Sequence, residues 1–379
     1  MKQGQRVKYC DFLKGLSIIL VILIHIFSTY RGIYFEENKV YYFILSLGDS
    51  FTRIAVPIFF MITGIFMLSK KHNESYKQYF FKRMPKLIIS FLVFSIVYYI
   101  YETRKSSDNY SLLYFLQTLT TYGGFKYHLW FMYEIIRIYL LIPFISILAK
   151  NITKKKLANL IILIYILGNV AVFSQMFSYK YEYNLLSGLP LSSLAICINY
   201  LLLGYYLYNN DISKKNRKRI YILGIISIIL MPIFDMIYIG DTRIGEDFVY
   251  TVSSVFPIFP AMATFVFFKH NYEKLHIAKR IEKIMSKIAN NSLYIYLVHV
   301  IIVEYITQFI MKYFEVHSFP IAIIAIIITL LLATVISYIA SVIINYIYNL
   351  IAKILKRLFD SIIRAIDKKG NKEKYEVEN

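Results

Sequence analysis

The chain has 379 residues, 58% of them hydrophobic and 17% aromatic, well above the share a soluble domain carries. That composition excludes a water-soluble globule, and at roughly 20 apolar residues per crossing it supplies about ten or eleven membrane spans and leaves no room for a sizeable soluble domain. The 43 Lys and Arg against 23 Asp and Glu give a net charge of +20, which in a membrane protein reflects basic loops at the inner face, so no nucleic-acid partner is expected.

In chain order, a basic start (Lys2, Arg6, Lys8) precedes a first apolar run at 12–30, which lacks a small-residue cleavage site and reads as a retained helix, not a signal peptide. Further apolar stretches follow at 51–69, 85–102, 128–149, 157–177, 187–208, 219–240, 248–268, 288–311 and 319–350. The expected fold is therefore all-α, a polytopic integral membrane protein of about ten transmembrane helices. Residues 40–48 are expected to extend the second helix outward, and 110–121, too short to span, to lie in the interface.

With the N-terminus inside, the Lys and Arg divide into 32 in inner loops and 8 in outer ones, Arg31 among the latter, while Lys14, Arg53 and Arg137 fall within spans. This asymmetry predicts a multi-pass protein of the cell membrane with both termini in the cytoplasm. Residues 1–359 read as one membrane-embedded domain and 360–379 as a polar, disordered cytoplasmic tail. Cys10 and Cys197 are too few for a disulfide framework or a Cys-based metal site.

Ionisable side chains inside spans are costly, so each is a candidate for function, with a helix-pairing ion pair as the plain alternative. In the first span, Asp11 and Lys14 are three apart and can pair, while Lys14 and His25, eleven apart, share one helix face about 16 Å from each other along the axis. Asp49 and Arg53 stand at i, i+4, and Trp130, Glu134 and Arg137 at helical spacing on the fourth span. Asp235, His299 and Glu304 also fall within spans, which makes the outer half the richer in acids, bases and imidazoles and suggests a cavity open outward. His25, His128 and His299 could offer imidazoles to a metal, but no pair has i, i+4 spacing and no metal is expected. A buried imidazole is better suited to general-base chemistry, since its ordinary pKa lies near working pH.

No Walker loop, dinucleotide fingerprint, HExxH or GxSxG occurs. Five fragments in order carry a different pattern: DFLKGLSIILVILIH, in which Lys14 is followed after ten positions by His25; AVPIFFMITGIFML, with Thr63 before Gly64; FFKRMPKLI, with Arg83 and Lys86; HLWFMYEIIRIYLLIP; and NSLYIYLVH, ending at His299. Together they resemble the acyltransferase 3 family of integral membrane acyltransferases, with Lys at two places where that family commonly has Arg.

The resemblance implies an O-acyltransferase, most simply an O-acetyltransferase, that moves an acyl group from cytoplasmic acyl-CoA, acetyl-CoA foremost, to a hydroxyl of a cell-envelope glycan or glycan precursor. It makes His25 the catalytic imidazole. Lys14, Lys82, Arg83 and Lys86 are then expected to meet the coenzyme A phosphates, and Arg53, Trp130 and Glu134 to shape the acceptor site. Some family members carry an added extracytoplasmic esterase-like domain; a stand-alone member without one is expected here, so the glycan or lipid-linked glycan acceptor is expected to meet the membrane part itself, or a separate extracytoplasmic partner to complete the transfer. The rival expectation is a transporter or flippase for an amino acid or lipid-linked sugar, against which weigh the lack of an inverted repeat and of paired Gly/Pro-broken short helices.

Overall fold

The computed structural model describes residues 7–69, 75–105, 111–121, 123–181, 193–239 and 249–377, without the side chains of 171–181, 193, 238–239 and 355–377. Helices are the only regular structure among the described residues, as a chain in lipid requires, because each helix satisfies its backbone polar groups internally. The order is α1 (Lys8–Glu37), α2 (Lys39–Thr52), α3 (Ala55–Leu68), α4 (Tyr76–Thr103), α5 (Leu112–Thr120), a 3₁₀ turn (Tyr127–Leu129), α6 (Trp130–Asn151), α7 (Lys154–Tyr181), α8 (Ser193–Asn209), α9 (Lys214–Ile239), α10 (Ile258–Asn271), a 3₁₀ turn (Tyr272–Leu275), α11 (Lys279–Tyr313) and α12 (Phe319–Val377).

Every predicted apolar stretch overlaps a helix, and among the described residues seven helical units are long and apolar enough to cross a membrane. The protein is thus a multi-pass membrane protein. α5 is short, none of its residues is buried, and Leu112 and Leu113 stand about three-quarters exposed, as an interfacial helix requires.

Three expectations need correction. The first helix runs on past residue 30 to Glu37, which takes Arg31 out of the outer loop and into the protein interior. The second span is two helices, α2 and α3, broken at Arg53 and Ile54, and Asn38 opens α2 by accepting from the amides of Val40 and Tyr41. The stretch 248–268 is not one helix: residues 250–257 form bends and turns, and α10 begins at Ile258. Their carbonyls are met by side chains from other helices: Tyr200 donates to Val252, Tyr165 to Val255 and Ser227 to Phe256. Irregular backbone among spans survives only where protein groups satisfy it in this way.

α1 is the axis of the bundle, packed against α2, α3, α11 and α12, while α4, α9 and α12 carry much of the exposed apolar surface, for example Ile222, Ile225 and Ile229 on α9 and Leu331 and Val335 on α12. α3 and α8 approach closely because Gly64 and Gly204 face the opposing backbone: a Cβ at Gly64 would overlap the Leu201 carbonyl, and one at Gly204 the Met61 carbonyl. Small residues permit such backbone contact in lipid, where packing rather than water exclusion drives association. Gly64→Ala is expected to lower the unfolding free energy by about 1–3 kcal/mol, read from reversible unfolding in mixed micelles. Unchanged stability would show that the two helices part freely.

Candidate active site

His25 lies on α1, partly buried, between two charged regions of the same helix. Its Nδ1 is 3.2 Å from the hydroxyl of Tyr127, in the 3₁₀ turn that leads into α6. Its ring centroid is 5.0 Å from that of His299 on α11, and His299 in turn is 5.4 Å from His128. Three imidazoles from distant parts of the chain therefore form one cluster. His299 Nδ1 stands 2.5 Å from the Tyr296 carbonyl, so that nitrogen carries the hydrogen, and the Tyr296 hydroxyl donates to the His128 carbonyl. His299 Nε2 and both ring nitrogens of His128 are buried without a hydrogen-bond partner among the described residues. The cluster thus retains unused donor and acceptor capacity. Among the described residues no group of His, Cys, Asp and Glu is arranged to hold a metal ion.

A second layer fixes the turn that carries Tyr127 and His128. Gly123 and Gly124, both at positive φ, bend the chain after α5, and Lys126 then pairs with Glu102 on α4 at 2.8 Å and Glu304 on α11 at 2.7 Å. Glu304 also accepts from Tyr101 at 2.7 Å and pairs with Lys105 at 3.0 Å. Sequence reading singled out His128, His299 and Glu304 but missed Tyr127, Tyr101 and Lys126. Lys126 and Lys105 are among the eight basic residues of the outer loops, and nothing in local spacing brings Tyr127 to His25 across 102 residues.

Six residues beyond His25, Arg31 enters a buried ionic knot. Its Nη1 is 3.2 Å from Asp235 on α9 and 3.6 Å from Asp49 on α2, and all three side chains are 1% exposed or less. Arg53 holds Asp49 with two nitrogens, Nε at 3.0 Å and Nη2 at 2.6 Å, and donates to the Tyr250 carbonyl at 3.2 Å. Tyr42 donates to Asp235 at 2.7 Å, and the Tyr250 ring lies under both guanidinium groups, 4.5 Å from Arg31 and 4.8 Å from Arg53. Among the described residues, two Arg and two Asp meet here. Arg53 lies within electrostatic reach of His25.

The other expected site residues separate into two groups. Lys14, partly buried on α1, has Asp11 beside it and Lys86 of α4 within electrostatic reach. Lys86 Nζ is 3.3 Å from the Asn345 side-chain oxygen and lies over the rings of Tyr294 and Tyr348. Arg83 is partly buried near Tyr139, and Lys82 is exposed. Lys14 and Lys86 therefore lie near each other, Lys14 partly buried and Lys86, like Lys82, exposed. Glu134 is fully buried, 3.4 Å from Arg137 and acting on Cys197 of α8, and Trp130 meets Phe131 edge-on. Of the three expected acceptor-site residues, Arg53 lies within electrostatic reach of His25.

Arg31→Met is expected to destabilise the protein by about 3–5 kcal/mol, because it removes the arginine from buried Asp235 and one of the two from buried Asp49. Adding Asp235→Asn should recover part of the loss, and a double-mutant cycle in mixed micelles measures the coupling. Additive effects would mean that the two groups do not interact.

No curated protein and no solved structure matches the chain. The family model of the acyltransferase 3 domain matches residues 7–340, which contain His25, Lys14, the ionic knot and all three imidazoles, and the chain therefore belongs to this family of acyltransferases.

Proposed function

We propose that this membrane acyltransferase takes an acyl group, an acetyl group foremost, from coenzyme A at the cytoplasmic face and delivers it to a hydroxyl of a cell-envelope glycan or glycan precursor. The observation that supports this reading most is the placement of charge along α1: a lysine near the N-terminal end, backed by Lys86, and on the same helix face, about 16 Å farther on, an imidazole with a hydroxyl partner. An extended acyl-CoA has such a form, phosphates at one end and thioester at the other. The excess of basic residues in the loops assigned to the inner side supports a cytoplasmic position for the Lys14 end. Family membership favours transfer over the transport reading.

In the proposed reaction His25 Nδ1–H donates to the Tyr127 oxygen, which leaves Nε2 free as the base. The acceptor oxygen attacks the thioester carbonyl carbon while its proton passes to His25 Nε2. The tetrahedral intermediate then collapses, the carbon–sulfur bond breaks, and the departing thiolate takes that proton, so His25 ends neutral. Tyr127 acts as a positioning residue that holds the ring and accepts a hydrogen bond from the imidazolium. Arg53, Trp130 and Glu134 are proposed to shape the acceptor side, and Lys14, Lys86 and Arg83, with Lys82 at the exposed rim, to hold the coenzyme phosphates. A glycan acceptor can reach this site directly or through a separate extracytoplasmic partner.

His25→Gln keeps a hydrogen-bonding side chain of similar reach but cannot cycle a proton, so transfer to acceptor should be lost with normal membrane levels and unchanged acyl-CoA affinity. Tyr127→Phe should lower kcat by about 10-fold to 100-fold at unchanged acyl-CoA affinity, the loss of one hydrogen bond to a charged group. Parent-rate transfer by His25→Gln would overturn the mechanism.

At the other end of α1, Lys14→Ala should weaken acyl-CoA binding by about tenfold or more, whereas Lys14→Arg, which keeps the charge, should retain it. Equilibrium binding to the purified variants checks this. Equal affinity in parent and Lys14→Ala would place the donor elsewhere.

A further inference from the structure

The N-terminal end of α9 and the C-terminal end of α10 enclose an open groove of about 240 Å³, lined by Lys214, Arg217, Lys218 and Tyr221 on one side and by His270 and Lys274 on the other. No acidic residue lines it. Among the described residues none of its four Lys and Arg side chains has an ion-pair partner. The acid next to it, Asp211, stands 3.8 Å from Lys269, whose ammonium also caps the carbonyls of Leu207, Tyr208 and Asn210 at the end of α8. His270 Nε2, in the wall of the groove, is buried without a hydrogen-bond partner. Burial and the positive charges of Arg217 and Lys269 lower the pKa of His270, against the opposing pull of Asp211.

This arrangement works against itself unless an anion is present. Five cations, Lys214, Lys215, Arg217, Lys218 and Arg219, crowd the first turns of α9, and its first turn carries no acid. Positive charge at that end opposes the helix dipole, and like charges across the groove repel. The groove also borders lipid: directly along α9 from Tyr221 come the exposed apolar side chains Ile222, Leu223, Ile225, Ile226 and Ile229. A tyrosine between a basic end and an apolar flank marks a membrane interface. The groove is separate from the donor lysines, because α10 stands between, with Phe268 and Tyr272 packed on Phe12 of α1 and Phe267 turned to Tyr221 of α9.

We propose that this groove binds the phosphate of an anionic phospholipid headgroup, with the acyl chains lying along the apolar flank of α9. The chemistry recognised is a phosphate-borne negative charge, which free phosphate shares, but only a lipid also uses the adjoining apolar face.

The test is native mass spectrometry of the purified full chain in a neutral detergent, with phosphatidylglycerol or phosphatidylcholine added at matched concentration. One phosphatidylglycerol should be retained in preference to phosphatidylcholine, and excess inorganic phosphate should not displace it. The triple variant Lys214→Gln, Arg217→Gln, Lys218→Gln should weaken retention by roughly a hundredfold, at an unchanged melting temperature without lipid. The variant His270→Gln, Lys274→Gln alters the opposite wall and should weaken it too, which decides the matter if the triple variant does not fold. Acyl-CoA affinity should be unchanged in both, so the outcome is independent of the donor assignment. Equal retention by parent and variants overturns the site, and displacement by inorganic phosphate or by coenzyme A overturns its assignment to lipid.

Discussion

The buried ionic knot of Arg31, Asp49, Arg53 and Asp235 is the constraint on which the site depends. Four ionised groups at this depth survive only by compensating one another, since an isolated charge in a low-dielectric interior costs far more than any packing contact returns. The compensation joins α1, α2, α9 and the turn at Tyr250 at one level of the bundle. Because Arg31 is only six residues from His25, roughly 9 Å along the helix, the knot also sets the height and rotation of the imidazole. The break between α2 and α3 serves the same end: it ends α2 at Arg53, whose guanidinium then reaches both Asp49 and the Tyr250 carbonyl.

Around that fixed axis the protein places three imidazoles with unspent hydrogen-bonding capacity. Polar atoms buried without partners are rare in folded proteins because each forfeits its solvation, and they concentrate where function uses them. Here His299 is held in one tautomer by the Tyr296 carbonyl and His128 is held through its own carbonyl by Tyr296, so one tyrosine registers two rings. Lys126, Glu102 and Glu304 clamp the turn that brings Tyr127 to His25. A site positioned by paired charges on both flanks needs little from the loop itself.

The two basic clusters at the other end of the bundle differ in kind. Lys14 is partly buried beside Asp11, and Lys86 lies over two tyrosine rings within electrostatic reach of it. The α9–α10 cluster faces outward beside lipid-exposed isoleucines. Both count equally in a net charge of +20, but only burial and neighbours separate a charge that orients the chain from one that holds a ligand.

What the sequence by itself determined are the properties that follow from one helix at a time. Apolar length marked the crossings, since lipid demands about 20 such residues whatever the neighbours do, and helical spacing paired Asp49 with Arg53 and Glu134 with Arg137. The order of motif fragments pointed to the family that the match over residues 7–340 establishes. Tertiary structure alone decided which charges meet across the chain. Arg31 read as a loop residue because a lone arginine ends an apolar run plausibly, and its partner Asp235 lies 204 residues away. Tyr127 carried no signal, being one tyrosine among 36. Residues 250–257 read as helix because the apolar content there is that of a span, yet they are turned, and Tyr200, Tyr165 and Ser227 supply hydrogen bonds a helix would have made internally. In each case the deciding interaction is a hydrogen bond or ion pair between residues distant in sequence, and its strength comes from an environment that only the assembled bundle creates.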